Sequence, residues 1–167
     1  MKKLILIVGP NGVGKSTTAR EFFQSNSKCA YVDSDWCRLK NPFSFTESDQ
    51  KLVANNIFCL LRNYLACEDV EKVIFTYAFH GVRKNIFDII IARLQDEGIE
   101  VELKIIILKC SYDENINRAR ADKRDEARIQ YGMKNTFDFY DQYNFPVIDT
   151  TCMKPEQIVE AINKIIE

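Results

Sequence analysis

The 167 residues suffice for one domain with a continuous core, with 46% apolar and 28% charged side chains. Twenty-three Lys and Arg against 24 Asp and Glu give a formal net charge of −1, which lacks the clustered basic excess of a broad nucleic-acid surface, so no nucleic-acid partner is expected. No run approaches the roughly 20 apolar residues of a membrane span, so no membrane partner is expected either. The six scattered cysteines, without a CxxC pair, read as reduced thiols of a cytoplasmic protein.

The chain opens on Met1-Lys2-Lys3-Leu4-Ile5-Leu6-Ile7-Val8, whose short apolar run leads into a glycine-rich loop with no small-residue cleavage site. It reads as a buried first strand, Lys3 to Val8. The loop that follows, Gly9-Pro10-Asn11-Gly12-Val13-Gly14-Lys15-Ser16-Thr17, matches G-x-x-x-x-G-K-[ST] in its proper place, after a strand and opening a helix. Glycines let successive N–H groups turn inward around an anion, and the helix dipole favours negative charge there. Gly9, Asn11, Gly12, Val13, Gly14, Lys15, Ser16 and Thr17 are therefore expected to cradle the phosphates of ATP. Lys15 would bridge the β and γ phosphates, and Ser16 would offer its hydroxyl to Mg²⁺.

A second strand, Cys29 to Asp33, ends in Asp33-Ser34-Asp35. Alternate residues of an extended segment face the same way, so both carboxylates can reach one site at the carboxyl rim of the sheet. Asp33 is assigned to the Mg²⁺ shell and Asp35 to the acceptor hydroxyl; the same string also reads as an Asx turn ending a strand. Thr46-Glu47-Ser48-Asp49 resembles a capping box before a long amphipathic helix carrying Leu52, Val53, Ile57, Leu60, Leu61, Tyr64 and Leu65.

The third strand, Lys72 to Tyr77, lacks the terminal Asp or Glu with which motor ATPases hold metal, and no Asn-Lys-x-Asp segment reads guanine. A helix from Val82 to Glu97 stops at Gly98, and Val101 to Lys109 has the near-continuous hydrophobicity of a central strand. Ser111-Tyr112-Asp113-Glu114 opens the next helix with a capping box. The arginine-dense stretch Asn117 to Arg128 follows. It reads as a lid delivering guanidinium groups to the transferring group, or as a solvated helix of mixed charge. Pro146 to Ile148 reads as a fifth strand, and Pro155 as the first residue of a closing helix.

Alternating strands and helices predict an α/β protein with a parallel sheet covered on both faces, in one domain spanning 1–167, with a lid over about 118–130 and an acceptor-binding insert over about 36–66. The acceptor, a small molecule or a nucleotide, is expected between the acidic pair, the helix after Thr46 and the loop after the third strand. Trp36, Phe43, Phe45, Tyr77 and Phe79 form either an aromatic wall there or core, with Arg38, His80 and Arg83 as polar handles. His80 reads as a satisfied loop histidine rather than a catalytic one.

Through the phosphate loop, the acidic pair, Arg118 to Arg124, and Val147-Ile148-Asp149-Thr150-Thr151 before Pro155-Glu156, nearly the whole chain resembles the nucleoside-monophosphate-kinase-like group of P-loop kinases. That group includes shikimate kinase, gluconate kinase and chloramphenicol phosphotransferase. The stretch Asp35 to Phe43 is also similar to uncharacterised bacterial proteins labelled nucleotide kinase. The resemblance implies a three-layer α/β/α fold, strand order 2-3-1-4-5, γ-phosphoryl transfer from ATP with Mg²⁺, and a monomer or homodimer. It puts Arg118 near adenine and Arg124 near the phosphates, as catalytic lid residues, with Arg120 and Arg128 competing for the same roles. Tyr77-Ala78-Phe79-His80-Gly81 replaces the glycine run of shikimate kinases, which argues against shikimate. An ATP-binding regulatory protein and a toxin-like nucleotide-sugar kinase remain alternative readings.

Overall fold

Leu4 to Val8 expose none of their surface, and their alternate side chains feed two different cores. Leu4, Leu6 and Val8 join one cluster, Ile5 and Ile7 the other, which is the period-two geometry of a strand buried on both faces. This strand, β1 (Lys2–Val8), lies at the centre of a five-stranded parallel sheet in the order β2-β3-β1-β4-β5, in a computed structural model that describes all 167 residues. The other strands are β2 (Cys29–Asp33), β3 (Lys72–Thr76), β4 (Val101–Lys109) and β5 (Val147–Asp149).

Helices α1 (Lys15–Ser25) and α6 (Pro155–Ile166) cover one face, burying Phe22, Ile158 and Ile162 against Ile5, Ile74 and Ile106. Helices α2 (Glu47–Ala66) and α3 (Arg83–Asp96) cover the other, burying Ile57, Leu61 and Ile90 against Val73 and Phe75. Ile162 is wholly enclosed, so its truncation to Ala should cost roughly 2–5 kcal/mol. Helices α4 (Tyr112–Ala121) and α5 (Glu126–Thr136) hold a small cluster of their own, Ile116, Ala119, Ile129 and Met133. No helix is long and apolar enough to cross a membrane.

Strand order and layering follow the expectation, and the differences are local. The last strand is shifted by one residue because Pro146 has no N–H for the ladder; its carbonyl still accepts from the Ile107 N–H at 2.9 Å. β3 ends at Thr76, one residue early. Thr46 and Asp49 form the full reciprocal cap of α2. At α4 only half the box forms: Ser111 accepts from the Glu114 N–H, while the Glu114 carboxylate turns to Arg118.

Candidate active site

The carboxyl ends of β1, β2 and β3 open into a cleft of about 410 Å³. The phosphate loop forms its floor. Gly9 leaves β1 at φ +149°, so close to β4 that a Cβ would stand 2.4 Å from the Leu108 carbonyl oxygen, which only glycine permits. Val13 packs into the core below, and the loop N–H groups run into α1. The Lys15 ammonium donates to the Gly9 and Pro10 carbonyls, each at 2.9 Å. Burial lowers its pKa to about 8; Asp35 and Asp33 oppose that shift and Arg124 adds to it.

Asp33 is buried at the end of β2 and takes three donors. One carboxylate oxygen accepts from the Ser16 hydroxyl at 2.8 Å and the Tyr31 hydroxyl at 2.7 Å, the other from the Asp35 N–H at 2.9 Å. Burial, reinforced by the Asp33 carboxylate, pushes Tyr31 up to about 12. The last of those bonds corrects the expected geometry. The strand stops at Asp33 and the chain turns, so Asp35 reaches the cleft around an Asx turn rather than by strand alternation. The acidic pair and the Asx turn are thus one structure. Asp35 is exposed and pairs with Arg38 at 2.7 Å, one turn on in the 3₁₀ segment Trp36–Arg38.

Opposite the phosphate loop, the wall comes from three short segments. Phe45 has left-handed backbone at φ +54°, a conformation that costs an aromatic residue of order 1 kcal/mol. Gln50 steadies it by donating to the Phe45 carbonyl at 3.1 Å. The Arg83 guanidinium stacks on the Phe45 ring, 4.6 Å from its centroid. The Tyr77 hydroxyl donates to the Arg83 carbonyl at 3.0 Å. Of the five candidate aromatics, only Phe45 and Tyr77 line the cleft. Phe79 is fully buried core, Phe43 packs on that core, and Trp36 lies edge-on to Tyr31.

His80 is not the satisfied loop histidine that its place before Gly81 suggested. It lines the cleft, and its Nδ1 is enclosed without a hydrogen-bond partner. Burial first, then repulsion from Arg83, Lys15 and Arg38, pulls its pKa down to about 4.

The arginine-dense stretch is the end of α4, a tight turn and the first turn of α5. Arg124 and Arg128 line the cleft, and Arg124 pairs with Asp122 at 3.2 Å. Arg120 pairs with Glu126 at 3.0 Å across the turn, a contact six residues apart rather than one helical turn. Arg118 does not line the cleft. Glu114, one turn earlier on α4, and the Thr150 carbonyl, at 2.7 Å each, hold it at the base of the loop, and it also donates to the Val13 carbonyl at 2.9 Å. It therefore ties the phosphate loop to the segment after β5.

Three further residues escaped the sequence reading. Thr136 accepts from the Asn11 N–H at 3.0 Å, rooting α5 on the phosphate loop. The buried Tyr140 hydroxyl accepts from the Phe79 N–H at 3.1 Å, holding the loop that carries His80. Asn115 lies fully buried behind the loop. Only Asn115 left a signal, as an amide beside Ile116 on the apolar stripe of α4.

No family model and no curated protein matches the chain. Solved structures do. The tunicamycin resistance protein of Deinococcus radiodurans superposes with a TM-score of 0.69 over 99% of this chain and 96% of its own, at 18% identity. A sugar kinase from Janibacter sp. HTCC2649 gives 0.66 over 99% and 95%, at 13% identity. Shikimate kinase from Bacteroides thetaiotaomicron gives 0.63 over 98% of both chains, at 15% identity. The chain has the fold of the P-loop kinases. At these identities the likeness carries the P-loop kinase architecture and sheet order, while the chemistry rests on this chain's own side chains.

Proposed function

We propose that the protein is an ATP-dependent kinase that transfers the γ-phosphoryl group to a hydroxyl of a small anionic acceptor. The observation that carries this reading is the charge of the cleft. Lys15, Arg38, Arg83, Arg124 and Arg128 line it against only Asp33, Asp35 and Asp122, in a chain whose formal net charge is −1. ATP accounts for the cations at the loop and lid. Arg38 and Arg83 stand at the other wall, where they suit a phosphate or carboxylate on the acceptor.

In this reading the loop N–H groups bind the phosphates, and Lys15 leaves the Gly9 and Pro10 carbonyls to bridge the β and γ groups. Ser16 and Asp33 are hard oxygen donors held together, a set that suits Mg²⁺ keeping most of its waters; when bound, Mg²⁺ neutralises charge on the β and γ oxygens. The acceptor oxygen attacks the γ phosphorus, the bond to the β–γ bridging oxygen breaks, and ADP leaves. Asp35 accepts the hydroxyl proton once the acceptor's anionic group has drawn Arg38 off it. Arg124 and Arg128 stabilise the charge spread over the transferring oxygens. Arg118 contributes by fixing the loop beside adenine.

The test is ADP release from Mg-ATP in the presence of phosphorylated and carboxylated alcohols, with neutral sugars, nucleosides and antibiotics beside them. An anionic compound should stimulate release, and Asp35→Asn should lower that turnover by roughly 10²–10³-fold with ATP binding intact. Stimulation by neutral compounds alone, or full turnover in the variant, would refute it.

A further inference from the structure

The Asn115 amide is fully enclosed, and neither its oxygen nor its nitrogen has a hydrogen-bond partner. A buried amide without partners costs on the order of 1–3 kcal/mol, so its presence calls for a reason outside the ligand-free state. What it touches supplies one. Gly12, in the middle of the phosphate loop at φ +90°, lies so close that a Cβ there would stand 2.8 Å from Asn115 Oδ1 and 3.3 Å from the Ala119 Cβ. The Gly12 peptide is unpaired as well: neither its N–H nor its C=O has a partner within the chain.

The neighbouring loop bonds close on the loop itself. The Pro10 carbonyl takes both the Lys15 ammonium at 2.9 Å and the Val13 N–H at 3.4 Å, the second a long contact. Phosphate binding requires both donors to turn inward. A peptide's N–H and C=O point in opposite directions, so turning the Val13 N–H toward a phosphate swings the Gly12 carbonyl outward. Asn115 lies against the side of the loop that a Gly12 Cβ would occupy. Half a turn about its Cβ–Cγ bond presents Nδ2 in place of Oδ1 at the Gly12 contact.

We propose that Asn115 is a positioning residue for nucleotide binding: its side-chain N–H takes the Gly12 carbonyl when the Gly12–Val13 peptide turns to aim the Val13 N–H at the phosphates. The amide is stored without a partner in the free protein and gains one only with the nucleotide. This rests on the reading of Gly9 to Thr17 as an ATP site, and it adds a residue from α4 that makes no contact with ATP.

The experiment is Mg-ADP titration calorimetry on the intact protein, with urea unfolding of the free form beside it. Asn115→Leu keeps the branching and removes both polar atoms. It should leave the free protein at least as stable while weakening Mg-ADP about tenfold, and raise the KM for ATP without changing that for the acceptor. Asn115→Asp keeps the shape and the oxygen but lacks the N–H, and should also weaken binding. Rising stability with falling affinity is the signature that a merely structural side chain would not give. Unchanged Mg-ADP affinity in either variant overturns the proposal; if the Leu variant does not fold, the Asp variant decides alone. Wild-type protein that binds no Mg-ADP would overturn the ATP-site reading itself, whereas wild-type binding matched by both variants would remove only Asn115.

Discussion

The two ends of the cleft are built by different means. The phosphate end is one contiguous stretch, Gly9 to Thr17, in which backbone N–H groups are aimed by the turn between β1 and α1. The end proposed for the acceptor gathers Asp35 and Arg38 after β2, Phe45 before α2, and Tyr77, His80 and Arg83 around the β3–α3 loop. A backbone site serves an unvarying ligand and tolerates few substitutions. A side-chain site draws on segments that can change independently, so it is where one kinase would differ from another.

The largest effect should come from Lys15→Ala, which removes the charge proposed to meet the β and γ phosphates. Turnover should fall by roughly 10²–10³-fold and ATP affinity should drop, in steady-state kinetics and direct binding. Unchanged ATP affinity would erase the distinction between the two ends. Arg83→Ala should sharpen it from the other side. It removes the guanidinium over Phe45 and should raise the KM of an anionic acceptor by about 10–100-fold, leaving the KM of ATP alone. An equal rise in both would mean the ends are not independent.

The pH dependence should also separate them. Burial lowers the Lys15 pKa to about 8, and its charged form is the one that would attract the phosphates. Mg-ATP affinity should therefore hold below pH 8 and decline above it, with proton uptake on binding visible by calorimetry in buffers of different ionisation enthalpy. His80, held neutral down to about pH 4, adds no inflection between pH 5 and 7 at the acceptor end.

The smallest effect concerns folding. Asp49 is buried and accepts from Lys40 and from the Ser44 and Thr46 N–H groups, fastening the segment before α2. The Lys40 bond first, then the Ser44 N–H, lowers its pKa to about 2. A depressed carboxyl stabilises the fold above its unfolded pKa, near 4, and that stability is lost as pH falls through about 2. Asp49→Asn should lower the urea midpoint at pH 7 and flatten its decline between pH 4 and 2.

The same division explains what the sequence disclosed. Strand order and the phosphate loop were legible because hydrophobic runs, caps and glycines act on neighbours in the chain. The Asx turn at Asp33 is local and was one of the two readings its string allowed, whereas the hold of Thr150 on Arg118 and the unpartnered Nδ1 of His80 depend on where distant segments meet. The arginine-dense stretch shows the limit: four arginines stand between Arg118 and Arg128, both included, yet only Arg124 and Arg128 face the cleft. Their directions are set by acidic partners, Glu114 for Arg118 and Glu126 for Arg120, which spacing alone did not select.

The bond from the Ser16 hydroxyl to Asp33 carries one more consequence. A hydroxyl has a single proton, and here it is already given to a buried carboxylate that also holds Tyr31 and the Asp35 amide. What Ser16 has left is lone pairs alone. It can serve a cation but cannot donate to a phosphate oxygen without giving up Asp33. On the proposed reading the loop would sort its ligands by sign before either arrives, with anions going to the backbone N–H groups and a cation to the Ser16 and Asp33 oxygens.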